Sequence, residues 1–121
     1  MANFLPQNQQ EVIKNQFNKE SFIKDTIQQI NKDLDFAGII KIKNILENTY
    51  DKLIDELYPM IDHLSQKKPQ LMFQLLYRVD ISENKIKKTL EENSNVDYIM
   101  LLTEMIIYRE AQKVYLRSLF K

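Results

Sequence analysis

Apolar residues recur at steps of three and four along most of this chain, and few residues interrupt that spacing. The sequence holds one glycine and three prolines among 121 residues. Because glycine and proline supply most turns and helix breaks, their scarcity leaves long stretches in which a helix can continue. Apolar residues at this spacing line one face of an α-helix. The sequence therefore predicts an all-α protein.

The length and composition predict a single domain. A chain of 121 residues can bury one hydrophobic core, and its 44% hydrophobic and 28% charged residues are typical of folded soluble proteins. No internal repeat, low-complexity tract or linker divides the sequence. We therefore expect one compact bundle of about five helices over residues 1–121, with residues 1–7 as a flexible amino-terminal extension.

The first predicted helix precedes the only glycine. After Pro6, the apolar residues of 13–34 follow the helical spacing, except for a six-residue gap around Glu20. The gap is compatible with one long helix or with two helices separated by a break. Gly38 comes just after this stretch, where a helix end favours a residue that tolerates positive φ. We expect a helix to end there.

The second predicted helix contains a proline. We expect it to start near Ile42, and its apolar residues continue to Leu64 across Pro59. Because the spacing survives, we expect either a kink at Pro59 or a new helix that begins there. Pro69 is predicted to be the first residue of the third helix, since its missing N–H would have no helical partner in the first turn.

Two polar segments predict the starts of the last two helices. Asp80 and Glu83 have the spacing of a capping box, in which two side chains bind backbone N–H groups at a helix start. A short amphipathic helix follows, and the sequence EENSN ends it. Ser94 or Asn95 can then cap the final helix.

The long C-terminal helix, in residues 98–120, is apolar on nearly every side in its first half. A membrane-spanning helix needs about 20 mostly apolar residues. Here Glu104 interrupts the run, and a charged residue at the membrane centre costs about 2.5–3.5 kcal/mol. We therefore exclude a membrane span. The charged residues Arg109, Glu110, Lys113 and Arg117 are interpreted as a ladder of ion pairs on an exposed helix face.

Two interpretations of the apolar first half remain. A helix that is apolar all round is expected to be surrounded by the other helices of the core. Alternatively, one stripe stays open and binds a second copy or another protein, as large exposed apolar patches usually do. The candidate interface residues of that stripe are Leu101, Met105, Tyr108, Tyr115, Leu119 and Phe120.

One basic region is considered for nucleic-acid binding. It borders two short predicted helices, 69–79 and 81–92, which have the size of a helix-turn-helix pair. Its residues are Lys67, Lys68, Arg78, Lys85, Lys87 and Lys88. Nearby glutamates dilute this charge, the first of the two helices is too apolar to face DNA, and Lys+Arg and Asp+Glu balance at 17 each. Nucleic-acid binding is therefore an alternative to the main prediction.

Residues 33–44, between the first two predicted helices, match an EF-hand calcium loop in part. Aspartates occupy its first and third positions, and Gly38 occupies the sixth. Ala37, Lys41 and Asn44 occupy positions that supply oxygen ligands in such loops, the last one a bidentate glutamate. The sequence thus predicts an acidic helix end at this place and no calcium site.

The residue types needed for metal binding or nucleophilic catalysis are scarce in this sequence. The chain has no cysteine and a single histidine, His63, outside the usual metal-ligand spacings, and its serines lie outside any nucleophile motif. A small-molecule pocket between helices, around Tyr50, Tyr58 and His63, is a further alternative. The missing cysteines and the lack of a signal peptide at the start of the sequence favour a cytoplasmic location.

Together these features predict a cytoplasmic protein-interaction domain that forms a homodimer through its C-terminal helix or binds a different protein. We expect it to need no cofactor and no metal, to have no catalytic activity, and not to bind membranes. Nucleic-acid binding by the basic region is one alternative, and a small-molecule binder or an enzyme with a pocket between helices is the other.

Overall fold

The computed structural model describes residues 7–36, 41–42 and 49–120, with side chains from residue 11 onward. Helices make up most of this part of the chain and it contains no strand, which confirms the predicted all-α class. Its six helices are α1 (Gln7–Gln16), α2 (Glu20–Leu34), α3 (Tyr50–Lys67), α4 (Pro69–Val79), α5 (Glu83–Glu92) and α6 (Tyr98–Leu119). Apart from Gln7, the predicted extension at 1–7 lies outside the described residues, as does the predicted helix end at Gly38.

α1 and α2 are separate helices, so the gap in the apolar spacing around Glu20 marks a break between two helices. The backbone turns at residues 17–19, where the N–H of Lys19 donates to the carbonyl oxygen of Gln16 at 2.9 Å. The turn places the ring of Phe17 edge-on against Tyr108 of α6, with the ring centroids 5.5 Å apart. The first predicted helix is therefore two helices, and the described bundle has one helix more than expected.

α3 begins at Tyr50 and continues through Pro59 as one helix. The predicted start near Ile42 is wrong, since the described residues 41–42 and 49 are not helical. Thr49 caps its first turn, and the Thr49 side chain accepts a hydrogen bond from the N–H of Lys52 at 3.3 Å. Pro59 leaves the carbonyl group of Asp55 without its helical partner, but both residues are exposed, so water can reach that carbonyl. The alternative of a new helix beginning at Pro59 is wrong, and the kink there stays a prediction.

α4 and α5 meet at a tight corner around Asp80. Pro69 is the first residue of α4, as predicted. Asp80 ends α4 in the left-handed conformation, with φ 74° and ψ 54°, and its N–H donates to the carbonyl oxygen of Leu76 at 2.9 Å. Ser82 caps α5 by accepting a hydrogen bond from the N–H of Lys85 at 3.1 Å. The predicted cap at Asp80 is wrong because the left-handed backbone there belongs to the end of α4.

Asp97 caps α6 and ties it to α3. Its Oδ1 accepts a hydrogen bond from the N–H of Ile99 at 3.0 Å, and its Oδ2 accepts one from the hydroxyl of Tyr58 at 2.7 Å. The predicted cap at Ser94 or Asn95 is wrong, since both residues belong to the turn before the helix.

α6 is the central helix of the described bundle, and it packs against each of the other five. Its buried residues are Leu101, Leu102, Thr103, Met105, Ile106, Ile107, Tyr108, Glu110, Ala111 and Val114. Each large apolar side chain of this set stabilises the fold by roughly 1.5–3 kcal/mol. Most of α6 is therefore a core helix. None of the described helices combines the length and the apolar character that crossing a membrane requires.

Candidate functional site

The six candidate interface residues of α6 fall into two groups. Leu101, Met105 and Tyr108 are at most 1% exposed and belong to the hydrophobic core. The other helices of the same chain cover them, because α6 is surrounded. These three residues cannot line a surface of the folded chain. The candidate interface is corrected to exclude them.

The remaining candidates lie at the C-terminal end of α6. Tyr115 is half-buried, whereas the side chains of Leu119 and Phe120 are 57% and 85% exposed. Leu116 is also exposed and lies one turn before both, on the same side of the helix. We call Tyr115, Leu116, Leu119 and Phe120 the C-terminal apolar surface. Leu116 was not among the candidates predicted from the sequence, although its spacing of three and four residues from Leu119 and Phe120 indicates a shared face.

α4 carries a second exposed apolar pair. Phe73 and Tyr77 lie one turn apart and are both exposed. The opposite side of α4 packs into the core through Met72, Leu75 and Leu76. Exposed aromatic side chains are thus not confined to α6, and this pair offers matched control positions for substitutions in the C-terminal apolar surface.

Arg78, one of the candidate nucleic-acid contacts, is engaged within the fold. Its Nε donates to the carbonyl oxygen of Asp33 at 2.9 Å, and its Nη2 donates to that of Lys32 at 3.3 Å. Its guanidinium lies 5.0 Å from the ring centroid of Phe36 in a cation–π contact. Arg78 therefore binds the last carbonyl groups of α2, and we remove it from the candidate nucleic-acid patch.

The other five residues of that patch are exposed in two groups. Lys67 and Lys68 lie at the junction of α3 and α4, whereas Lys85, Lys87 and Lys88 lie on α5. Partial burial and, to a lesser extent, the nearby charge of Arg109 lower the pKa of Lys85. In the sequence, Arg78 is the only basic residue between these two groups, so its removal leaves the patch as two separate groups of lysines. Nucleic-acid binding by these lysines stays a prediction.

Tyr50, Tyr58 and His63 have different surroundings along α3. The ring centroid of Tyr50 lies 5.0 Å from that of Phe17 and 6.2 Å from that of Tyr108. The Tyr50 hydroxyl is buried without a hydrogen-bond partner, and burial raises its pKa above the usual range. Tyr58 bonds to the start of α6, and His63 is exposed. Because Tyr50 packs against the core whereas His63 lies at the surface, the three residues do not form a common site.

The aspartates of the calcium-loop segment bind lysines. Asp35 forms an ion pair with Lys41 at 3.3 Å, and Asp33 forms one with Lys113 of α6 at 3.0 Å. Residues 37–40 and 43–44 of the segment lie outside the described residues. Within the described ranges, no three His, Cys, Asp or Glu side chains are grouped as metal ligands would be.

A buried group of polar side chains connects α2 to α6. Lys113 Nζ lies 3.0 Å from Asp33 Oδ2 and 2.9 Å from Glu110 Oε1, and it donates to the carbonyl oxygen of Arg78 at 3.1 Å. Gln29 Nε2 donates to the same Asp33 oxygen at 3.3 Å. We call Gln29, Asp33, Glu110 and Lys113 the interhelical polar cluster. The sequence-based assignment of Glu110 to an exposed ladder is wrong, since Glu110 is fully buried.

Glu110 is the member of this cluster that is least suited to carry a charge. The ammonium of Lys113 lies 2.9 Å from one of its oxygens and favours the ionised form, but the burial of Glu110 opposes that form more strongly. Burial, and then the neighbouring Asp33, raise the pKa of Glu110 to about 8. Burial also opposes ionisation of Asp33, but bonds with Glu110 and Lys113 outweigh it and lower the pKa of Asp33. These opposite shifts favour the protonated form of Glu110 and the ionised form of Asp33, which pairs with Lys113.

Comparisons of the chain with protein-family models, with curated proteins and with solved structures found no match. No relative supplies a function, so the chain's own geometry carries the functional inference. Glu110 is fully buried and out of reach of a substrate, whereas the C-terminal apolar surface is open to solvent.

Proposed function

We propose that this chain is a protein-interaction domain that pairs with a second copy through the C-terminal apolar surface. The supporting observation is the exposure of Leu119 and Phe120 at the end of the most deeply buried helix. The buried first half of α6 anchors the helix in the core, so these side chains are carried on a helix that is already formed. Binding then costs less conformational entropy than it would if the segment had to fold first.

A symmetric dimer suits this surface for two reasons. In a two-fold interface, the same patch appears on both partners, so apolar side chains of one copy meet apolar side chains of the other. The chain also has no net charge at neutral pH, so two copies do not repel each other over long distances. Burial of Leu119 and Phe120 contributes roughly 1.5–3 kcal/mol per side chain.

The interface is expected to be small. Stable complexes bury about 800 Å² per partner, more than four side chains supply, and smaller interfaces are usually transient. We therefore expect a dimer that dissociates on dilution, with a dissociation constant on the order of micromolar. The proposal includes no catalytic activity and no cofactor, and the absence of cysteine supports a reducing, cytoplasmic setting.

Sedimentation equilibrium over a concentration series tests this proposal. The variant Phe120→Glu places a charge in the C-terminal apolar surface, and Phe73→Glu makes the same change at an exposed position of α4. We expect the wild type and Phe73→Glu to shift from monomer to dimer as concentration rises, and Phe120→Glu to stay monomeric. A wild type that stays monomeric would refute self-association and leave a different protein as the occupant of this surface.

A further inference from the structure

A pocket of about 340 Å³ opens between α2 and α6, beside the interhelical polar cluster. Its size falls in the range of small-molecule sites, which is roughly 300–1,000 Å³. α2 lines it with Asp25, Gln28, Gln29 and Lys32, and α6 lines it with Arg117 and Ser118. Gln29 belongs both to the pocket wall and to the cluster, so the pocket adjoins a fixed part of the core.

The guanidinium of Arg117 is held in place at this pocket. Its Nη1 donates to Gln29 Oε1 at 2.7 Å, and the Gln29 side chain is bound at its other end to Asp33. Gln29 is only 7% exposed, and Asp33 is fixed in turn by Lys113. A guanidinium has five N–H donors, and Gln29 uses one of them. Arg117 is thus oriented before any ligand arrives, which lowers the entropy cost of binding.

The charges of the lining favour an anion. Lys32 and Arg117 provide two positive groups against the single carboxylate of Asp25. Arginine binds carboxylate and phosphate groups through paired hydrogen bonds, and lysine adds a mobile positive charge. We propose that the pocket binds a small organic anion whose carboxylate or phosphate group is held by Arg117 and Lys32.

Asp25 limits which other chemical groups the ligand can carry. A carboxylate in the lining repels a second anionic group and accepts hydrogen bonds from hydroxyl or amino groups. The Gln28 amide can both donate and accept at the same wall. The ligand therefore has one anionic group and at least one hydroxyl or amino group. This site is separate from the C-terminal apolar surface, so its occupation does not depend on dimer formation.

Titrations followed by ¹H–¹⁵N correlation spectra test the pocket, with sodium phosphate and sodium acetate as the two anionic probes and glycerol as the neutral one. Arg117→Gln and Lys32→Gln each remove one positive charge from the lining. Lys87→Gln removes the same charge from an exposed position of α5, outside the pocket. Lys32 is exposed as well, so the Lys32→Gln variant is expected to keep the fold.

We expect saturable shifts of the backbone amides of residues 28–32 and 114–118 with at least one anion, and none with glycerol. Saturation by phosphate alone, or by acetate alone, assigns the anionic group of the ligand. Affinity should fall about tenfold or more in Arg117→Gln and Lys32→Gln, because each loses a charged hydrogen-bond donor, and it should be unchanged in Lys87→Gln. Absence of saturation up to about 50 mM of both anions, or an equal loss in Lys87→Gln, would overturn the proposal.

Discussion

Lys113 of α6 lies 3.0 Å from Asp33 of α2, although 80 positions separate the two residues in the sequence. One turn away on both helices, Arg117 donates to Gln29 at 2.7 Å. The two contacts run in opposite directions along the chain, so α2 and α6 are antiparallel where they meet. Two polar contacts spaced by one turn allow a single alignment of the helices. They therefore fix the register of α2 against α6.

Protonation of Glu110 is expected to make the stability depend on pH. Its pKa is raised from 4.5 to about 8 in the folded chain, so the folded state holds a proton that the unfolded state releases. The free energy of unfolding should therefore fall as pH rises from about 4.5 to about 8, by a few kcal/mol in total. Urea denaturation between about pH 5.5 and about pH 8.5 measures this slope while Asp33 stays ionised in both states.

The variant Glu110→Gln isolates that effect. Glutamine has no titrating group and can still donate a hydrogen bond towards Asp33, so its stability should be nearly constant over the same pH range. Glu91→Gln, a change at an exposed position of α5, should keep the wild-type slope. Equal slopes in Glu110→Gln and in the wild type would show that another group releases the proton.

Removal of Lys113, whose carboxylate partner is nearly buried, is expected to destabilise the fold more than removal of Arg109, whose carboxylate partner is exposed. Lys113→Met keeps most of the side-chain volume but leaves the Asp33 carboxylate largely buried without its cation, which should cost about 2–4 kcal/mol. Arg109→Met breaks the pair between Arg109 and the exposed carboxylate of Asp80, which should cost about 1 kcal/mol or less. Equal losses in urea denaturation at pH 7 would mean that the Asp33–Lys113 pair is not buried in solution.

At the corner between α4 and α5, Asp80 ends α4 and Ser82 caps the first turn of α5. Ser82→Ala removes the acceptor for the N–H of Lys85 and should cost about 1 kcal/mol of unfolding free energy. Asp80→Gly places glycine at a left-handed position, where it relieves backbone strain and offsets the lost ion pair with Arg109. We expect that variant to stay within about 0.5 kcal/mol of the wild type in thermal denaturation. A larger loss for Asp80→Gly than for Ser82→Ala would contradict the assignment of these caps.

This corner also shows what the sequence can predict. The polar residues between the helices placed the boundary of α5 correctly within a few residues. They did not distinguish Asp80 from Ser82 as the cap, because that choice depends on the backbone angles of Asp80. Periodicity likewise identified the helical segments but left open which helix lies in the centre. The side chains of Leu101 and Met105 follow the same spacing whether helices or solvent cover them.

Glu110 marks the part of the site that the sequence could not predict. On α6 alone, its position three residues before Lys113 is typical of an exposed ion pair. Its burial depends on α2, which brings Asp33 to the same place from far along the chain. The charged residues were thus identified from the sequence, whereas their protonation and burial required the packing of two distant helices.

Tyr108 and Tyr77 provide a direct test of which tyrosines belong to the core. Tyr108 is fully buried beside Phe17 and Tyr50, whereas Tyr77 is 86% exposed on α4. Tyr108→Ala should cost about 3–5 kcal/mol of unfolding free energy, because it leaves a cavity the size of an aromatic ring. Tyr77→Ala should cost less than about 0.5 kcal/mol. Chemical denaturation of both variants measures the difference. A small loss for Tyr108→Ala would place that side chain at the surface and return it to the candidate interface.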